Sequence, residues 1–250
     1  MRDFDDSTLW RISAFERMRS ETGNSGFARL TTTTVLPTTL VTELSQLRRG
    51  QRSGDLLEVL TACMRRRESA LILLRHRDLV WPLTLFPQSN LYHLPRPLIE
   101  SLERGARDLE VVEVEPPGLR PPGHVMTERI ADGPGYRSLK PLLWAFAMHA
   151  PRATLLDDIA GRAAYRLVAE FEPDEAARAG AMGPALHRLR SEIASLPDIA
   201  GWPGMNRERA ARLLNGVYLQ GGLMVLRTHH AARDPAAGSE RLRGWFRPGR

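Results

Sequence analysis

The cationic charge of this chain is carried almost wholly by arginine, Lys140 being its one lysine. A guanidinium is a rigid fork of donors suited to bidentate pairing with phosphate or guanine. Several arginines gather in the run NRERAARLLNGV, residues 206–217. Helical spacing there turns Ala210, Leu213, Leu214 and Val217 inward and Arg207, Glu208, Ala211, Arg212 and Asn215 outward. A second group with chemical potential is aromatic. Trp81, Phe86, Tyr92 and His93, with Pro82, Pro87 and Pro95, form a set that lines a small-ligand or peptide pocket or else fills a core.

Catalytic signatures are missing from the sequence. Gly133-Pro134-Gly135 precedes Lys140, but no glycine stands before the lysine and no Ser or Thr follows it, so the P-loop pattern fails. Cys63 is the single cysteine, which excludes an internal disulfide and argues against a closed zinc site; its apolar helical surroundings make it a core residue. His76, His93, His124, His149 and His187 lack HExxH spacing, and His229-His230 would face opposite ways on a strand. Asp157 and Asp158 would leave a helix on different faces, and no GxSxG elbow exists. These features predict no enzyme, no metal and no cofactor.

The remaining composition bounds the class. The chain has 250 residues, 42% hydrophobic and 26% charged, with a formal charge of +6. That composition fits a folded protein of one large or two ordinary domains. A basic balance favours acidic partners such as nucleic acid, although a GC-rich genome produces the same bias toward Arg, Ala, Gly and Pro. The start, MRDFDDSTLW, has no apolar leader, and residues 142–148 are too few to span a bilayer. A reducing, cytoplasmic location without membrane contact is the expectation.

Secondary-structure signals divide the chain. The first part mixes strands expected over residues 27–36, 70–74, 79–86 and 111–114 with helices over 40–47, 56–64 and 97–103. Asp55 and Glu58 are spaced as a capping box, and Pro82 predicts an edge strand or a bulge. The Pro- and Gly-rich run EPPGLRPPGHVMTERIADGPG then reads as a connector. Beyond it, helices are expected over residues 139–149, 154–160 and 184–193, with 164–171 either strand or helix. ATLLDDIAG at 153–161 echoes ASLPDIAG at 194–201, as in a degenerate tandem of helix-turn-helix units. The predicted fold class is α+β: a mixed domain over 1–116, a connector over 117–135 and a mainly helical domain over 136–250.

Local chemistry is sharpest near residue 200. Ser195 and Asp198 are spaced as a capping box, Pro203-Gly204 forces a turn, and Asn206 is a favoured N-cap. Gly221-Gly222 stop the second helix, and residues 223–227 read as a strand. A return strand is available at 242–246; a frayed basic tail is the alternative. The order ALHRL, SLPDIAGWPGM, NRERAARLLNGVYLQGGLMVL, from Leu186 to Arg227, resembles the winged helix-turn-helix family of bacterial regulators. The resemblance implies a three-helix core with a hairpin wing, and a helix that enters the DNA major groove. It implies that Arg207, Arg209 and Arg212 meet phosphates or guanine edges and that Asn215 pairs with adenine. Glu208 would repel phosphate there, or accept from cytosine N4. On this reading the chain is a DNA-binding regulator of transcription, a homodimer on two half-sites, with a sensing N-terminal domain. The alternative is a signalling adaptor whose two domains bind other proteins, a GTPase for example, without DNA.

Overall fold

The structure, a computed structural model, describes residues 9–22, 35–96, 98, 109–131 and 135–232. The chain divides into two units, Met1–Arg152 and Ala153–Arg250. Each mixes helices with an antiparallel sheet.

The first unit is organised by two nearly uninterrupted apolar runs, ALILLRH and LVWPLTLF, which form β2 (Ala70–His76) and β3 (Leu79–Phe86). Such runs suit strands buried on both faces. The hairpin closes at Arg77-Asp78, with Arg77 in the left-handed region at φ 55°. Around it stand β1 (Trp10–Arg11), β4 (Leu91–His93), β5 (Glu110–Glu115) and β6 (Tyr136–Ser138). The sheet runs β5-β2-β3-β4-β6, and β1 also pairs with β3. Residues opposite one another across a ladder share a face. One face holds Leu71, Leu73 and Val80 against Phe15 of α1 (Ile12–Thr22), where Arg19 also reaches Glu113 of β5 at 3.3 Å.

Pro82 does not mark an edge. It lies in the central strand, opposite Leu73, between the stretch paired with β1 and the stretch paired with β4. The missing N–H therefore falls beside a gap in the second ladder, where no donor is required.

α2 (Thr38–Arg49) and α3 (Leu56–Arg66) precede the hairpin. Asp55 caps α3, its Oδ1 accepting from the Leu57 N–H at 3.0 Å. Glu58 does not complete the box; its carboxylate lies 2.8 Å from Arg152, which also reaches Asp55 at 2.5 Å. Cys63 is fully buried in α3, and burial, followed by the nearby Glu43 charge, pushes its thiol up to about 12. Only a thiolate attacks a maleimide readily. Native protein at pH 7 is expected to resist maleimide labelling, with one site appearing in denaturant; prompt native labelling would contradict the burial.

The expected boundary at residue 116 is corrected. β6 pairs with β4 in the register Leu91↔Ser138 and His93↔Tyr136, so it and α4 (Leu139–His149) belong to the first unit. The run 117–135 is a loop that leaves the sheet and returns to it. Its described part is folded: the Arg120 N–H donates to the Arg129 carbonyl at 3.0 Å, and the Tyr136 hydroxyl donates to the Arg120 carbonyl at 2.6 Å. Pro and Gly density announces turns, not whether the chain comes back to the same sheet.

The second unit contains β7 (Ala164–Leu167), α5 (Met182–Ser191), β8 (Ala194–Ser195), α6 (Leu196–Ala200), α7 (Arg207–Leu219) and β9 (Leu223–Leu226). Its sheet runs β8-β7-β9, so the strand that comes first in sequence lies in the middle. Leu186, Leu189, Ile199, Leu213, Leu214 and Val217 are buried in the unit. Residues 154–160 are not the expected helix. They make a turn in which the Ile159 and Ala160 N–H groups donate to the Leu156 carbonyl at 3.1 and 2.9 Å. Asn215 takes the Thr154 carbonyl, the acceptor that a helix starting there would need.

α7 ends as the paired glycines require. Gly221 is left-handed at φ 74° and donates to the Tyr218 carbonyl; the Gly222 N–H donates to Val217, both at 2.9 Å. This is the Schellman arrangement. A Cβ on Gly222 would enter the ring of buried Phe171. Gly222→Ala is therefore expected to destabilise by ~1–3 kcal/mol through overpacking. Urea unfolding checks it, an unchanged midpoint being the contrary result.

The strand expected over 27–36 lies outside the described residues apart from Val35 and Leu36, which are coil. The helix over 97–103, apart from Leu98, and the return strand over 242–246 also lie outside them. Among the described residues no helix is long and apolar enough to cross a membrane.

Candidate functional site

The two local stops around α6 set the entry of α7. The Ser195 Oγ accepts from the Asp198 N–H, while the Asp198 carboxylate accepts from the Ser195 N–H at 2.9 Å. Gly204, at φ 75°, turns the chain after Pro203, and Asn206 Oδ1 caps α7 by accepting from the Arg209 N–H at 2.8 Å. The first turn of α7 consequently projects into solvent with Arg207, Glu208 and Arg209 exposed.

These side chains differ in what else they hold. The Arg209 guanidinium donates back to the Gly204 carbonyl at 2.6 Å. Arg212 is mostly covered, with 15% of its side chain exposed, and pairs with Glu208 at 3.0 Å. Arg207 makes no side-chain hydrogen bond or ion pair among the described residues. Phosphate binding would therefore recruit Arg207 directly and would compete with existing partners at Arg209 and Arg212. Glu208 and the exposed Asp198 add negative charge to the same tip.

Asn215 is not on the presented face, and neither is Ala211; they are 0% and 1% exposed. The Asn215 Oδ1 accepts from the Leu156 N–H and its amide donates to the Thr154 carbonyl, each at 2.9 Å. The expectation that it pairs with adenine is corrected: both ends of its carboxamide are engaged within the unit. Two further side chains hold the same segment. The Tyr218 hydroxyl donates to Asp158 at 2.9 Å, and Arg227 donates to the carbonyls of Asp158 and Ala160 at 2.8 and 2.9 Å. Residues 213–217 of α7 are buried in succession, so this stretch is covered on every side. A signal for that was present in the run Leu213-Leu214-Asn215-Gly216-Val217, which carries no charge over more than a turn.

The aromatic set is split by the pleat. Tyr92 stands opposite Leu85 and so shares a face with Trp81, while His93 stands opposite Thr84 and shares the other face with Phe86. All four are buried, in keeping with the core alternative, and being split between two faces they do not converge on one pocket. On the second face Tyr136 packs near Phe86 and His93, with ring centroids 6.0 and 4.9 Å apart. Gly135 must lack a side chain, because a Cβ there would meet the His93 ring.

Burial, and then the Arg137 charge, lower the His93 pKa from 6.5 to about 4. Between those values the unfolded chain binds a proton that the folded chain refuses, so stability falls as pH falls. Unfolding of the first unit is expected to become easier from about pH 6.5 down to about 4. His93→Gln should flatten that part of the profile, and an unchanged slope in this variant would assign the effect elsewhere.

Among the described residues no group of three or more His, Cys, Asp or Glu is arranged to hold a metal ion. Residues 35, 119–120 and 125–126, unnoticed in the sequence, bound a groove in the first unit. The apolar pair Val125-Met126 inside a Pro- and Gly-rich run was the available sign. No protein-family model matches this sequence, and neither a curated protein nor a solved structure matches it.

Proposed function

We propose that the chain is an adaptor that binds other proteins, with a winged-helix-type second unit serving protein contact and not reading of the major groove. The winged-helix reading is supported by the succession α5, β8, α6, α7, β9, with β7 beside β9 where a wing's return strand would lie. The observation that carries the adaptor reading is the burial of α7 over residues 213–217. A recognition helix reads base edges with an exposed face, and this one offers solvent chiefly its first turn. The charges at that turn are of both signs, and two of its three arginines already have partners.

A duplex reader is the second reading, favoured by exposed Arg207 at the start of α7. Fluorescence anisotropy with a labelled duplex separates the two. The adaptor reading expects weak, sequence-independent binding that Arg207→Ala combined with Arg212→Ala leaves nearly unchanged. A stoichiometric protein complex that survives nuclease is its positive counterpart. Tight duplex binding, with a salt slope that drops by about one when Arg207 is removed, would establish the second reading in its place.

A further inference from the structure

A groove of about 710 Å³ opens on the first unit between the residues leading into α2, the end of β3 and the loop after β5. Three large apolar side chains stand open around it: Val35 at 73% exposure, Val125 at 98% and Met126 at 55%. Single exposed apolar residues are ordinary; several gathered at one concavity mark a contact surface. Phe86 and Leu119, both buried, also line it.

Arg120 supplies the polar element. Among the described residues its Nε is buried without a hydrogen-bond partner, and its guanidinium meets the His124 Nδ1 at 3.4 Å in an exposed contact. The Arg120 main chain is held on both sides, by Arg129 and by the Tyr136 hydroxyl. A partly covered guanidinium on a held main chain, with no ion pair among the described residues, suits a carboxylate. Glu68 also lines the groove and disfavours an occupant with more than one acid. Pro117, Pro121 and Pro122 stiffen the wall, which lowers the ordering cost of binding.

We propose that this groove docks an extended segment of a partner protein in which apolar side chains flank a single carboxylate, and that Arg120 receives the carboxylate. The proposal rests on the adaptor reading and specifies its partner. A polypeptide fits better than a small ligand, because Val35 and Val125 lie so far out that a molecule filling the interior leaves them in water. A strand passing along the groove covers both.

The test selects a phage-displayed library of random octapeptides on the full chain, then measures the enriched peptide by fluorescence polarisation. An Asp or Glu among apolar residues is the expected consensus. Arg120→Gln should weaken that peptide about tenfold or more, the value of a charge-assisted bond. Replacing the peptide's acid by its amide should weaken binding to the native chain equally and leave the Arg120→Gln variant indifferent. Val125→Ser should weaken binding without altering the acid preference. Thermal unfolding of Arg120→Gln should stay close to the parent, since the shorter bonds at this residue are main-chain and its side chain adds one exposed 3.4 Å contact to His124. An absent consensus, a consensus without an acid, or equal affinity for the Arg120→Gln variant would overturn the proposal. A stoichiometric partner complex retained by a variant carrying both Arg120→Gln and Val125→Ser would also overturn it while leaving the adaptor reading intact. Tight, arginine-dependent duplex binding would instead remove the adaptor reading.

Discussion

Asn215→Leu is expected to unfold the second unit at moderate denaturant and not merely to weaken a surface contact. Leucine is close to asparagine in size but cannot replace its two bonds. The Leu156 N–H and the Thr154 carbonyl would both lose their Asn215 partner. Leu156 is buried, and its N–H left unmade costs ~1–3 kcal/mol, with a smaller loss at the Thr154 carbonyl of an exposed residue. That is a large share of the ~5–15 kcal/mol that holds a domain together. The measurement is urea unfolding with hydrogen exchange at the Leu156 amide, expected to be slow in the parent and fast in the variant. Asn215→Asp keeps the acceptor for Leu156, loses the donor to Thr154 and introduces a buried charge, so it should also destabilise. If either variant unfolded within ~0.5 kcal/mol of the parent, as exposed substitutions do, Asn215 would be a surface residue after all and the base-reading role would return.

Arg152→Met is the second large effect, and it falls on the first unit. The Arg152 guanidinium lies against Asp55 and Glu58, and the Glu58 side chain is only 5% exposed. Removing the cation leaves a covered carboxylate without it, and breaking such a pair costs ~3–5 kcal/mol. The cost arises from the stranded charge more than from the lost attraction. Pairing Arg152→Met with Glu58→Gln should therefore recover most of the stability, and a double-mutant cycle measures the recovery. Additive losses in the cycle would show that the two side chains do not act together. Asp55 stays in place throughout as the cap of α3.

Both residues show where sequence reasoning stops. Asp55 and Glu58 have the spacing of a capping box, and Asp55 does cap; Glu58 turns to Arg152, a partner remote in sequence. Asn215 has the helical phase of an outward residue only if nothing lies over that face, and residues 154–160 do. The aromatic set was visible as a cluster in the sequence, but Trp81 and Phe86 on β3, like Tyr92 and His93 on β4, are an odd number of residues apart and leave on opposite sides; the turn between the strands decided only that Tyr92 shares a face with Trp81 and His93 with Phe86. The groove was hidden because its apolar wall is in a loop that resembles a connector.

Much of the local architecture was legible from nearest neighbours. The β2–β3 hairpin follows from two apolar runs around a polar turn, and the start of α6, the start of α7 and the end of α7 follow from Ser195, Asn206 and the glycine pair. Each of these depends on hydrogen bonds and dihedral preferences that span a few residues, so the amino-acid order is enough. The return of β6 to the first sheet, the cover over α7 and the exposure of Val35, Val125 and Met126 beside Arg120 depend on which distant segments meet. Burial is a property of the partner surface as much as of the residue, and no local spacing carries it.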